Sequence, residues 1–194
     1  MLAGVSNVSI QLNHSFPGLR ERLREATADA HRELDAQFSS FDLTVIAGYR
    51  RFLQASAGAL LPLEAALEQA GVARVFPDWP ERSRRAAITA DLRRLGSAAQ
   101  SIVFVPPLTS GGVLGTMYVL EGSRLGARYL LKQVADAVDP RISAATSYLS
   151  HGAGKRLWQS FLSKLQGDGA CDEDDVIQAA RAAFAAFEQA ADRA

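Results

Sequence analysis

Apolar positions along the chain recur at helical rather than alternating spacing. Leu19, Leu23, Ala26, Ala30 and Leu34 form one stripe on a 3.6-residue period, which predicts a first helix from Pro17-Gly18 to about Phe38. Pro17 suits that start, where its missing N–H is not needed. Tyr49, Phe52, Leu53, Leu60, Leu63 and Leu67 predict a second helix, opening after a candidate cap at Asp42 or Thr44 and closing at Ala70 before Gly71. Pro62 is expected to kink or divide it. Phe76-Pro77-Asp78-Trp79-Pro80 reads as a turn, Arg82 to Leu95 as a short third helix ended by Gly96, and Ile102 to Pro107 as an extended loop, since a lone strand has no partner. A fourth helix from Gly112 to about Val138 carries Val113, Leu114, Met117, Leu120, Leu125, Leu130, Leu131 and Val134 and stops at Pro140. A fifth spans about Ala153 to Leu165. A sixth spans Asp172 to Arg193, with Asp172, Glu173, Asp174 and Asp175 suiting its N-terminal dipole. The expected fold class is all-α: one helical domain over 17–194, preceded by a flexible arm at 1–16.

Composition narrows the function classes. The 194 residues carry 21 Lys+Arg against 21 Asp+Glu, so nothing suggests a nucleic-acid surface that works by neutralising phosphates. No apolar run approaches the roughly 20 residues that cross a bilayer, so no membrane partner is expected. Cys171 is the only cysteine, which excludes an intramolecular disulfide and a multi-thiolate zinc site. The first 16 residues lack the positive cluster and apolar core of a signal peptide, and the cytoplasm is the expected address.

The candidate chemistry is sparse. There are three histidines, His14, His31 and His151, and no Glu-x-x-His or His-Glu-x-x-His motif, which argues against di-iron and zinc sites. One imidazole is nevertheless enough for haem, whose iron already has four porphyrin nitrogens. His31 is the candidate: it lies mid-helix beside the apolar stripe, with Thr27 one turn before and Asp35 one turn after. Arg24 is seven residues earlier, about 10 Å along the axis, within reach of a porphyrin propionate. The alternative for His31 is a buried or half-buried ring satisfied by a backbone carbonyl. Gly115, Gly122 and Gly126 share one stripe of the fourth helix, beside small Ser123 and Ala127, although each interior glycine costs about 1 kcal/mol relative to alanine. Either another helix packs very close on that stripe, or a flat ligand lies directly on it. Of the remaining residues, Trp158 and Phe161 are expected in the core, Arg124 and Arg128 in solvent, and His151 exposed in its turn; Cys171 has no catalytic base near it.

Leu23-Arg24-Glu25-Ala26-Thr27-Ala28-Asp29-Ala30-His31 resembles the proximal-helix segment of haem oxygenases. Tyr118-Val119-Leu120-Glu121-Gly122-Ser123-Arg124-Leu125-Gly126-Ala127 resembles their glycine-rich distal helix, and its Glu-Gly-Ser-x-Leu-Gly form is similar to the bacterial branch found beside bacteriophytochromes. The resemblance covers about residues 18–190. It implies that haem is both cofactor and substrate, that His31 is the axial iron ligand, and that O2 and reductant from a reductase or ferredoxin open the ring to biliverdin, CO and Fe2+. A bacteriophytochrome is an implied recipient of the bilin. Gly122, Ser123 and Gly126 would form the oxygen-facing catalytic surface, with Thr27 and Ala127 against the haem and Arg24 and Lys155 at the propionates; Arg20 and Arg156 are further basic candidates on spacing alone. Two departures matter. Ser123 stands where many relatives have a distal Asp, and Ala127 replaces the second glycine of a Gly-Gly pair. Ser123 keeps open a second expectation, a haem-binding or haem-delivery protein of the same fold without turnover. Haem-free thiaminase-like relatives, and a helical module whose glycine stripe only packs, are the remaining alternatives.

Overall fold

The computed structural model describes residues 18–167 and 171–194; the arm expected at 1–16, with His14, lies outside them, as does Pro17. Every regular element among the described residues is helical: α1 (Leu19–Ala26), α2 (Ala28–Ser39), α3 (Ile46–Gln69), α4 (Trp79–Arg82), α5 (Arg85–Arg94), α6 (Ser110–Ala135), α7 (Pro140–Ala144), α8 (Ser147–Ser150), α9 (Leu157–Gly167) and α10 (Glu173–Asp192). None of them is long and apolar enough to cross a membrane.

The C-terminal helix α10 is the axis of the bundle. Its buried face is mostly alanine, with Val176, Ile177, Phe184 and Phe187 between, and α2, α3 and α6 pack against it. Small side chains let neighbours approach closely, and α6 uses that room. A Cβ on Gly115 would lie 2.1 Å from the Val176 carbonyl oxygen and 2.8 Å from Ala179 Cβ. Six residues earlier, Thr109 Oγ1 donates to Asp175 Oδ2 at 2.5 Å while accepting from Gly112 N as the N-cap of α6. Asp172 caps α10 by accepting from Asp174 N.

The stripe read as one N-terminal helix folds as two, kinked at Thr27. That residue has φ −113° and ψ 4°, and its Oγ1 donates to the Leu23 carbonyl at 2.8 Å, the back-bonding by which a mid-helix threonine bends a helix. The rod continues, for His31 N donates to the Thr27 carbonyl at 2.9 Å. Three side-chain contacts fasten the kinked rod to α10: Arg22 to Glu173 and Asp174, Arg181 Nε to the Ala26 carbonyl at 3.0 Å, and Gln37 to Asp192. Residue numbers rise together along both partners, so α1–α2 runs parallel to α10. By the same test α6 does too.

Elsewhere the structure refines the expected boundaries. Asp42 Oδ1 accepts from Thr44 N and Oγ1, shaping the turn before α3 rather than capping it; Val45 occupies the cap. The helix runs unbroken through Pro62 and ends before Gly71, whose φ of 76° suits glycine. The expected third helix starts late, as α5, because buried Glu64 of α3 accepts from Ser83 Oγ, Arg84 N and Arg85 N, capping α5 from outside, while the short α4 forms at Trp79–Arg82, overlapping the expected turn. The 102–107 segment is extended loop, docked where Ile102 N donates to the carbonyl of Gly58 at 3.2 Å. The short helices α7 and α8 have no counterpart in the sequence reading.

Gly115→Ala should destabilise the protein by about 1–3 kcal/mol, the usual cost of overpacking, whereas Gly126→Ala, with nothing within 4 Å of its added methyl, should be neutral or stabilising. Urea unfolding of the two variants checks both.

Candidate active site

His31 lies on α2, one turn beyond the kink. Its side chain is 62% exposed, and Nδ1 pairs with Asp35 Oδ2 at 2.9 Å, one helical turn on. This removes the alternative of a buried ring satisfied by a carbonyl. A carboxylate on one ring nitrogen fixes the orientation of the other, Nε2, which is the arrangement metal-binding imidazoles use. Phe184 of α10 steadies the ring at 5.9 Å between centroids.

The second candidate surface is the second half of α6. Gly115 is buried against α10, but two turns further along the same stripe the cover ends. A Cβ on Gly122 would meet only Trp158, at 3.7 Å, and one on Gly126 would meet nothing within 4 Å. Leu125 and Tyr129, next to this stripe, are 58% and 66% exposed. The glycine stripe thus differs along one helix: it packs against α10 at Gly115 and is uncovered from Gly122 onward.

Tyr118 joins the two sides. Its hydroxyl meets that of Thr27, and the guanidinium groups of Arg20 and Arg24 lie nearby; burial nonetheless raises the phenol above its ordinary value. From this junction α2 and α6 run in the same direction. His31 and Gly122 each lie four residues past it, about 6 Å along their own helix axes.

Behind α6 is a buried polar network that the sequence reading missed. Glu121, 1% exposed, lies between Arg82 Nη1 at 3.2 Å and Arg124 Nε at 3.0 Å. Arg82 is held in turn by Asp78, Ser160 and the Leu157 carbonyl. Arg84, just before α5, donates to Ser123 Oγ at 3.1 Å and to the Leu120 carbonyl at 2.9 Å, while Ser123 Oγ donates to the same carbonyl. Arg124 is thus not the solvent-facing charge expected; it is 11% exposed. His151 is half-buried rather than exposed. One signal for the network was available: a lone carboxylate inside the apolar run Val119-Leu120-Glu121 must bury with a cation or break the helix face.

The other predicted residues fall as follows. Arg24 is exposed at the Tyr118 junction. Thr27 is buried and shapes the kink. Ala127 is partly buried against the core. Lys155 pairs with Glu81 at 2.7 Å, on the α4 side, rather than joining Arg24. Phe161 is core as expected, but Trp158 is half-buried, stacked on Phe161 and tilted against Tyr118 at the edge of the bare face. A cavity of about 610 Å³ containing Arg20, Arg24 and Cys171 lies between α1, the end of α9 and the start of α10; His31 and Gly126 lie outside it, on open surface. An exposed donor imidazole oriented by a carboxylate, a glycine-bared stretch of α6, and cations beside the Thr27–Tyr118 junction suit a flat, apolar, dianionic macrocycle such as haem.

Comparison with known proteins agrees. The family model "Heme oxygenase" matches residues 18–193. The chain is 30% identical over 183 residues to heme oxygenase PigA of Pseudomonas aeruginosa, covering 89% of each. It is 33% identical over 121 residues to a heme oxygenase of Xanthomonas campestris pv. campestris, covering 60% of this chain and 72% of that one. In fold it resembles the NO- and CO-bound heme oxygenase of Neisseria meningitidis, with a TM-score of 0.74, 22% identity and 91% coverage of both. The extent of the family-model match and of the alignment to PigA makes this chain a member of the haem oxygenase family.

Proposed function

We propose that haem lies between α2 and the second half of α6, with His31 Nε2 as its axial ligand and Gly122, Ser123 and Gly126 on the oxygen side. The exposed His31 ring held by Asp35, with open backbone at Gly126 of α6, is the observation that carries this reading. When bound, haem supplies the iron chemistry that activates O2 and is itself opened to biliverdin, with release of CO and Fe2+.

The protein's part is positional and electrostatic. Asp35 holds the His31 ring in one orientation. Absence of Cβ atoms at Gly122 and Gly126 leaves room for O2 while α6 limits which edge of the ring it can reach. Arg24, with Arg20 beside it, is placed to hold a propionate at the Tyr118 junction. Lys155 must give up Glu81 to reach the other propionate. Ser123 Oγ has committed its proton to Leu120 and one lone pair to Arg84; the second lone pair can accept from a water on the oxygen side. Arg84 brings to that hydroxyl a positive charge that an aspartate there would have neutralised. The electron donor is proposed to be a reductase or ferredoxin. Delivery of the bilin to a bacteriophytochrome is supported only by the Glu121-Gly122-Ser123-x-Leu125-Gly126 form of the motif.

Purified protein mixed with hemin and then ascorbate in air should lose its Soret band and gain red absorbance from biliverdin; a lasting oxy-complex with an intact Soret band would instead mark a carrier. His31→Ala should abolish the histidine-ligated spectrum without changing far-UV circular dichroism, and an unaltered spectrum would remove the axial assignment. Gly126→Leu should keep its stability within about 0.5 kcal/mol, as exposed substitutions do, yet cut biliverdin formation at least tenfold. Arg24→Ala should weaken hemin binding about tenfold, the usual worth of one charge-assisted hydrogen bond, as read by fluorescence quenching.

A further inference from the structure

Arg124 is saturated. Its Nε donates to Glu121 Oε2, its Nη2 to Glu121 Oε1 and the Arg82 carbonyl, and its Nη1 to both the carbonyl and the Nδ1 of His151, each at 3.2 Å. Guanidinium has five N–H donors and accepts nothing. The His151 contact therefore requires a bare Nδ1, which fixes the imidazole as the neutral Nε2–H form. The turn is built for this approach. Gly152 has φ 75°, and a Cβ there would lie 3.2 Å from Arg124 Nη1 and 2.8 Å from Leu157 Cδ1, so a larger residue would push the turn off the guanidinium.

The acceptors of Arg124 come from three places: its own helix, the α4–α5 strap at Arg82, and the turn at His151. The same strap carries Arg84, which holds Ser123 and Leu120. Glu121 and Arg124 thus fasten the stretch of α6 containing Gly122 and Ser123, Arg124 leaving the helix on the side opposite the Gly122–Gly126 stripe. We propose that His151 is a positioning residue, acting through Arg124 as a neutral acceptor that pins α6 behind Gly122 and Ser123 and so sets where the oxygen-facing surface stands relative to haem. This rests on Gly122 and Ser123 facing haem.

The charged groups around His151 favour the neutral ring. Burial and the positive charges of Arg124 on α6, Arg84 before α5 and Lys155 in the following loop lower its pKa from 6.5 to about 4. In the unfolded chain the ring takes up a proton below about pH 6.5, whereas in the folded protein it does so only near pH 4. Unfolding between these values gains a proton, so acid favours it, and this contribution to stability is lost as pH falls across that window. His151→Asn keeps an acceptor at the Nδ1 position but cannot be protonated; His151→Ala removes the acceptor.

The test compares wild type, His151→Asn and His151→Ala as full chains, without haem and with it. In the haem-free proteins, His151→Ala should speed amide exchange at Gly122 to Gly126 about tenfold, the scale of one lost hydrogen bond to a charge, and His151→Asn should restore it at pH 7. The haem-loaded proteins should follow the same pattern in ferric EPR spectrum and biliverdin isomer ratio. The fall in urea stability between pH 6.5 and 4 should be shallower in His151→Asn than in wild type. Unchanged exchange in His151→Ala, or no rescue by asparagine, overturns the pin while leaving haem binding intact. Faster exchange with unchanged EPR and isomer ratio overturns both the proposal and the placement of Gly122 and Ser123. If His151→Ala does not fold, equal acid slopes in wild type and His151→Asn overturn it.

Discussion

The backbone contact between Gly115 and the Val176–Ala180 stretch decides what the rest of the molecule can do. It sets α6 against α10 with no side chain between them. The same α10 holds the kinked α1–α2 rod through Arg22, Arg181 and Gln37. One helix therefore serves as ruler for both walls. The separation of the His31 imidazole from the bare stretch of α6 follows from two sets of contacts to a common support, not from a direct clamp. The Thr27–Tyr118 junction then gives both walls the same origin.

Behind the bare face, three arginines and two carboxylates are packed where apolar residues would serve stability as well or better. Buried ion pairs of this kind contribute little net free energy after desolvation. What they add is geometry: each partner has a fixed set of donors or acceptors, and a slipped helix would leave charges unmatched. Arg82, 1% exposed, and the saturated Arg124 leave α6 few alternative positions. The excess of positive charge also bears on Ser123, because the hydroxyl that replaces a carboxylate hydrogen-bonds to a guanidinium instead.

Much of the architecture was legible because it depends on local periodicity. The long helices α3, α6 and α10 have sustained apolar stripes, and glycines 71 and 96 mark stops at positive φ. The kink at Thr27 was not legible: threonine in a helix is common, and a back-bond to the preceding turn bends the helix in only some contexts. Nor was the late start of α5, since its cause is Glu64, about twenty residues away in sequence. His31 and the glycine stripe stood out because a donor imidazole beside an apolar stripe and interior glycines in a long helix are each unusual in sequence. Arg84, Arg124 and His151 did not, because a lone arginine or histidine in sequence is ordinarily a surface charge, and only tertiary contacts show otherwise. Lys155 shows the converse: a basic residue at an apt position is already paired with Glu81.

Leu125 and Tyr129 leave large apolar surfaces facing water beside the bare glycines. Such surface is adhesive, and a ligand that covers it draws the whole population toward the folded state in proportion to the logarithm of its concentration. In the proposed placement the covering molecule is haem, which the protein it steadies destroys, so each turnover would return the chain to its stickier, less durable form. Persistence of the enzyme would then be coupled to supply: abundant tetrapyrrole would protect it, and scarcity would expose it to self-association and degradation.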